Sequence, residues 1–167
     1  MAQLPYEVLV KEAMEHDFKG WDFSWTHGRW HEGEPSWNYR RLVKEKIAAI
    51  DSLLDMGTGG GEFLASLENR PPVTSATESF EPNIPVARAR LEPLGVKVLS
   101  FVDDQELPLP AETFEVVINR HESYAPSELQ RILKPGGTFL TQQVGALDCI
   151  QLNQFLGAPL DESVASW

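Results

Sequence analysis

The chain has 167 residues, 42% hydrophobic and 23% charged, which is the balance of a soluble globular protein that fits one domain. Its 25 acids against 14 lysines and arginines give a formal net charge of -11, and a field of that sign repels phosphate backbones and argues against nucleic acid as a partner. The single cysteine, Cys149, excludes an internal disulfide or a cysteine-cluster metal site and is expected to pack; no run reaches membrane-span length, and no secretion signal opens the chain, so the cytoplasm is the expected compartment.

Residues 1–50 differ in composition from the rest. Trp21, Trp25, Trp30 and Trp37 lie here with Phe18, Phe23 and Tyr39, and only Trp167 lies elsewhere. His16, His27 and His31 alternate with Gly28 and Gly33 in an irregular stretch; His27 and His31 have no helical setting and no obvious third ligand, so no metal site is expected. Ser36 is expected to open a helix running to Ile50, with Arg40, Arg41, Lys44 and Lys46 on its solvated face.

From Asp51 the reading sharpens. Asp-Ser-Leu-Leu-Asp-Met-Gly-Thr-Gly-Gly-Gly predicts a buried strand ending near Asp55, a turn through Gly57, Thr58, Gly59 and Gly61, and a helix over 61–68. Glycines let backbone amides approach a ligand with no Cβ between them, and a helix start favours negative charge. A dinucleotide fingerprint would need a small residue three places after Gly59, where this chain has Glu62. The spacing acid-x-Gly-x-Gly-x-Gly, Asp55 to Gly61, instead resembles the first motif of class I S-adenosylmethionine-dependent methyltransferases. That resemblance implies S-adenosylmethionine as cofactor, whose amino and carboxylate groups suit a loop offering an acid and free amides.

A second strand, 72–78, closes on Glu78, an acid placed to hold two ribose hydroxyls. A helix follows over 83–94, with Ala87, Leu91 and Leu94 on one face, and a third strand over 96–101. Asp103-Asp104, the Leu107-Pro108 pair and the apolar fourth strand 113–119 are similar to the family's adenine-reading stretch. The likeness implies that Asp103 accepts from the adenine amino group while the Asp104 amide donates to the ring. An acidic loop kept in water is the alternative. A helix over 125–133 then meets Leu133-Lys134-Pro135-Gly136-Gly137, characteristic of the same family, where Pro135 and the glycines break the helix before a fifth strand, 138–144.

The alternation predicts an α/β fold, a Rossmann-like doubly wound and mainly parallel sheet with helices on both faces. Residues 51–145 form its core. The resemblance makes 1–50 a helical and aromatic lid over the cofactor, able to offer ring faces to its sulfonium, with packing onto the sheet as the alternative. Family members usually end in an antiparallel hairpin beside the fifth strand. Here residues 146–167 make only a short tail of helix-like character from Leu147 to Leu156, so the fold is expected to be truncated at its C-terminal edge. A longer parental protein, or cover of the fifth-strand edge by the tail or a homodimer partner, would account for it.

The implied reaction is in-line transfer of the cofactor's methyl group to an acceptor, a small molecule before a protein side chain. Candidate residues follow the fourth strand: Asn119 to touch cofactor or acceptor, His121 to take a proton, and Glu122 to orient His121 or bind a cationic acceptor. A capping or surface histidine is the alternative for His121. Two other classes stay open: a non-catalytic cofactor-binding or interaction module, and a nucleotide-dependent oxidoreductase, which Glu62 disfavours.

Overall fold

The computed structural model describes residues 5–157, apart from 18, 21, 30, 32, 34 and 146. Five parallel strands form one sheet: β1 (Ser52–Met56), β2 (Val73–Glu78), β3 (Lys97–Ser100), β4 (Phe114–Arg120) and β5 (Leu133–Gln142), in the order β3-β2-β1-β4-β5. The helices are α1 (Tyr6–Glu15), α2 (Tyr39–Ile47), α3 (Glu62–Ala65), α4 (Ile84–Leu91), α5 (Pro126–Ile132) and α6 (Ile150–Phe155). The expected Rossmann-like α/β architecture is therefore observed.

Side chains alternate across the sheet and feed two cores, as a parallel sheet covered on both faces requires. Leu53, Val116 and Ile118 point to one face and pack with Tyr39, Val43, Leu64, Ala87 and Leu91. Leu54, Met56 and Val117 point to the other, against Phe101, Leu107, Leu129 and Ile132. A pair at the margin of this second core, with Glu128 buried and Arg131 partly exposed, closes it: Glu128 Oε1 and Oε2 each accept from Arg131 at 2.6 Å, and Arg131 donates on to the Leu109 and Leu107 carbonyls. The Leu-Pro stretch between β3 and β4 is thereby pinned to α5.

Several boundaries differ from the sequence reading, each for a local reason. The cap of α2 is Asn38, whose Oδ1 accepts from the Arg41 amide at 2.9 Å, so the helix starts three residues after Ser36. The helix after the glycine loop is only four residues, Glu62–Ala65, and α4 hands over to a 3-10 turn, Glu92–Leu94, that leaves Leu94 exposed. Lys-Pro-Gly-Gly does not separate α5 from β5. Leu133 already pairs with Phe114, and the ladder resumes at Thr138 opposite Val116, so residues 134–137 bulge out of one continuous strand with Gly136 at φ +78°. Cys149 does not pack but is exposed, in the left-handed region at φ +55°.

Within residues 1–50, α2 packs onto the sheet through Tyr39, Val43 and Ile47, whereas the described residues ahead of it make few contacts. No residue of α1 is buried. Trp25 stacks on His16 at 4.7 Å with Arg29 over its ring, while Trp37 and Phe23 are exposed. Phe18, Trp21, Trp30 and Trp167, part of the aromatic reading, lie outside the described residues. The stretch between α1 and α2 reaches the glycine loop at Gly20: a Cβ at this buried residue would stand 2.9 Å from the Gly60 Cα, so the segment lies directly on the loop.

Candidate cofactor site

Strand order reverses between β1 and β4, and a crevice opens there beyond the carboxyl ends of the strands. The turn after β1 lines it. Gly57, Gly59 and Gly61 all have positive φ, and Gly57 most needs to lack a side chain: a Cβ there would lie 2.5 Å from Glu122 Cβ and Cγ. The loop is internally tied. The Thr58 amide donates to the Thr77 carbonyl at 2.9 Å, the Gly61 amide to the Thr58 carbonyl at 3.0 Å, and the Gly57 amide to Thr77 Oγ1 at 3.4 Å. The free amides expected for a carboxylate are thus largely spent within the fold.

Asp55 is buried, and its Oδ2 accepts from the Thr58 hydroxyl at 2.7 Å. Burial pushes its carboxyl up to about 7, opposed by the Thr58 hydrogen bond and the Arg120 charge and reinforced by Glu78. Glu78 ends β2 almost fully buried, with Oε1 accepting from the Phe80 amide at 2.8 Å; burial raises it, and amide hydrogen bonds from Phe80, Gly59 and Ser79 oppose the rise. Glu122 is half-buried and raised too, first by burial and then by the Glu78 and Asp104 carboxylates. Three acids with elevated proton affinity face one crevice, an arrangement completed by a cation.

The crevice comprises two adjoining cavities. One, of about 370 Å³, is lined by Asp55, Gly57, Thr58, Gly59 and Glu78 together with Arg40, Phe63, Arg120, His121 and Glu122. The other, of about 520 Å³, is lined by Phe101, Asp103, Asp104, Ser123 and Tyr124. Ser79 and Glu122 belong to both, so the cavities meet at Glu122. Asp103 Oδ1 caps the Gln105 amide at 2.8 Å, and Asp104 Oδ2 accepts from the Ser123 hydroxyl at 2.5 Å.

A strand would aim Arg120 and His121 to opposite faces. His121 instead turns left-handed, at φ +65°, with its amide bonded to the Gln142 carbonyl at 3.0 Å, and Arg120, His121 and Glu122 consequently all line the first cavity. Asn119 lines neither. Its side chain is fully buried behind the crevice, where Oδ1 accepts from Gln143 Nε2 at 2.8 Å and from the Thr141 hydroxyl at 3.3 Å. Gln143 also donates to the Glu122 carbonyl at 3.1 Å, so Asn119 positions the segment carrying Glu122 from behind. Arg40, Arg120 and Phe63 were not singled out as site residues from the sequence. For Arg40 the signal was hidden in a basic helix face that points partly into the crevice.

Residues 54–141, just over half of the chain, match the methyltransferase domain family. The chain belongs to that family. Its fold is shared by a set of solved structures. These include the YcgJ protein of Bacillus subtilis, at 19% identity and TM-score 0.57 over 71% of this chain and 55% of that one. A SAM-dependent methyltransferase from Aquifex aeolicus follows at 23% identity and TM-score 0.54, covering 65% of each chain. A geranyl diphosphate methyltransferase, solved with GPP and sinefungin, matches at 17% identity and TM-score 0.54 over 72% of this chain and 53% of that one. The chain thus spans about half to two thirds of the length of these structures. No curated protein matches it.

The matched segment is a methyltransferase domain, and its fold is the one these structures share. The crevice has features that fit S-adenosylmethionine, the cofactor the sequence resemblance implies: a buried acid at the end of β2 and carboxylates suited to an ammonium and a sulfonium. Among the described residues no group of histidine, cysteine and acidic side chains could hold a metal, and no helix is long and apolar enough to cross a membrane.

Proposed function

We propose that this chain transfers the methyl group of S-adenosylmethionine to a small-molecule acceptor by in-line displacement. The observation that carries the reading is the pair of cavities meeting at Glu122, one walled by Asp55, the glycine loop and Glu78, the other by Asp103 and Asp104. Asp55 receives the donor's ammonium, Gly57 and Gly59 let its backbone pass close, with Thr58 bracing Asp55, and Glu78 accepts from two ribose hydroxyls. Asp103 and the Asp104 amide take the adenine edge. When bound, the cofactor supplies an activated methyl group on a positively charged sulfur. His121 would take the proton that the acceptor gives up as it accepts the methyl group. Holding acceptor, methyl and sulfur in line is worth up to ~7 to 11 kcal/mol, so the residues here need mainly to position. Glu122 and its neighbours set that line.

The N-terminal region acts as a lid, supported by the seat of Gly20 on Gly60. The open edge of β5 pairs two copies of the chain, and the protein works in the cytoplasm. Calorimetry on the whole chain tests the core of this reading. S-adenosylmethionine is expected to bind and NADH not, and Glu78→Ala to weaken binding about tenfold or more through loss of a charge-assisted hydrogen bond. Uptake of NADH instead, or indifference to the substitution, defeats it. Tight cofactor binding with no transfer to a broad panel of acceptors would favour a non-catalytic module.

A further inference from the structure

Five of the eight arginines, Arg29, Arg41, Arg88, Arg90 and Arg131, stand beside a carboxylate, and Arg70 caps the backbone carbonyls of Leu64, Ala65 and Leu67. Arg40 and Arg120 remain. Among the described residues neither has an ion-pair partner, in a chain with 25 acids to choose from. Both line the cavity beside the glycine loop, and both lie against one ring, with Arg40 Cζ 5.3 Å and Arg120 Cζ 5.7 Å from the Phe63 centroid. Arg40 is braced from behind by Ser66, whose Oγ accepts from Nη1 at 2.8 Å, which leaves most of its donor fork open. Two guanidiniums gathered at one aromatic ring repel each other, and although Asp55 feels the Arg120 charge, neither fork is bound to a carboxylate among the described residues.

Planar guanidinium forks match carboxylate and phosphate oxygens two at a time, and stacking on a ring holds them ready to do so. We propose that Arg40 and Arg120 hold an oxyanion of the methyl acceptor, so that the acceptor is a small organic acid or phosphate ester. The inference rests on the methyl-transfer reading. It divides the crevice by charge, with the acids facing the cationic donor and the two arginines selecting the acceptor. Because the left-handed turn at His121 brings positions 120 to 122 to one cavity, an acceptor anchored on Arg120 lays its reactive end beside His121 and Glu122. This replaces the cationic acceptor first considered for Glu122.

The test is calorimetry on the whole chain in two steps. In the first, S-adenosylhomocysteine is titrated into the parent protein, Arg40→Gln and Arg120→Gln, and its affinity is expected to agree within about threefold across the three. In the second, each protein saturated with S-adenosylhomocysteine is titrated with benzoate, succinate and inorganic phosphate, and with benzamide and succinamide as uncharged counterparts. The parent should prefer at least one anion by about tenfold or more, and Arg120→Gln should abolish that preference. Anions binding no better than amides overturn the proposal. So does a tenfold loss of S-adenosylhomocysteine affinity in either variant with 5′-methylthioadenosine, which lacks the carboxylate, unaffected, because the arginines would then hold the donor's tail. If S-adenosylhomocysteine fails to bind the parent in the first step, the methyl-transfer reading itself falls.

Discussion

At the scale of single residues, Asp55 carries the clearest consequence. An acid whose folded pKa stands above its unfolded value binds more protons in the folded state, so the protein loses stability as pH rises from near 4 through about 7. Asp55→Asn should therefore raise the denaturant midpoint at pH 8 and change it little below pH 4, a contrast that urea titration at the two pH values reads directly. Cofactor binding should respond in the opposite sense. The ammonium needs an ionised Asp55, so affinity should rise between pH 6 and pH 8 with release of a proton, visible as a dependence of binding heat on the buffer's ionisation enthalpy; a flat profile would place the ammonium elsewhere. Asp55, Gly57 and Glu78 were legible in the sequence because each sits at a strand end whose chemistry is local. Arg120 was not. Its direction depends on a left-handed backbone at His121, and the modest preference of histidine for positive φ is too weak to announce that turn in a sequence.

Among the elements, α2 is tied to the sheet by one buried hydroxyl. Tyr39 donates to the Asn119 carbonyl at 3.0 Å and lies 3.3 Å from the Leu140 carbonyl, so a single side chain joins α2, β4 and β5 just beneath the crevice. Burial and the nearby Asp55 charge raise its pKa, which keeps the hydroxyl a donor across the working pH range. Tyr39→Phe leaves both carbonyls short of a partner and should cost about 1–3 kcal/mol, measured by urea unfolding, with cofactor affinity falling because Asn119 and Gln143 lose their footing. An unchanged midpoint would mean that water replaces the hydroxyl. The five strands and their order were readable because apolar runs and turn residues alternate regularly, whereas element ends were not. Competition between Ser36 and Asn38 for the helix cap, and absorption of Lys-Pro-Gly-Gly into a bulge, are decided by tertiary contacts outside any short window.

For the whole molecule, the sheet ends on β5, whose outer edge has no strand beside it among the described residues. Such an edge is a template for pairing, and two copies related by a two-fold axis can satisfy each other. Light scattering should report the mass of a dimer, with the outward amides of β5 protected from hydrogen exchange; a monomer whose β5 amides exchange freely removes the idea. The cofactor crevice lies at the opposite pole from the Pro135–Gly137 bulge, since the parallel strands all run from that end toward the glycine loop. Nothing comes within 4 Å of where a side chain at Gly136 would project. A peptide tag spliced in there, or a linker to a sensor surface, would tether the protein with its mouth turned outward and leave ligand access untouched.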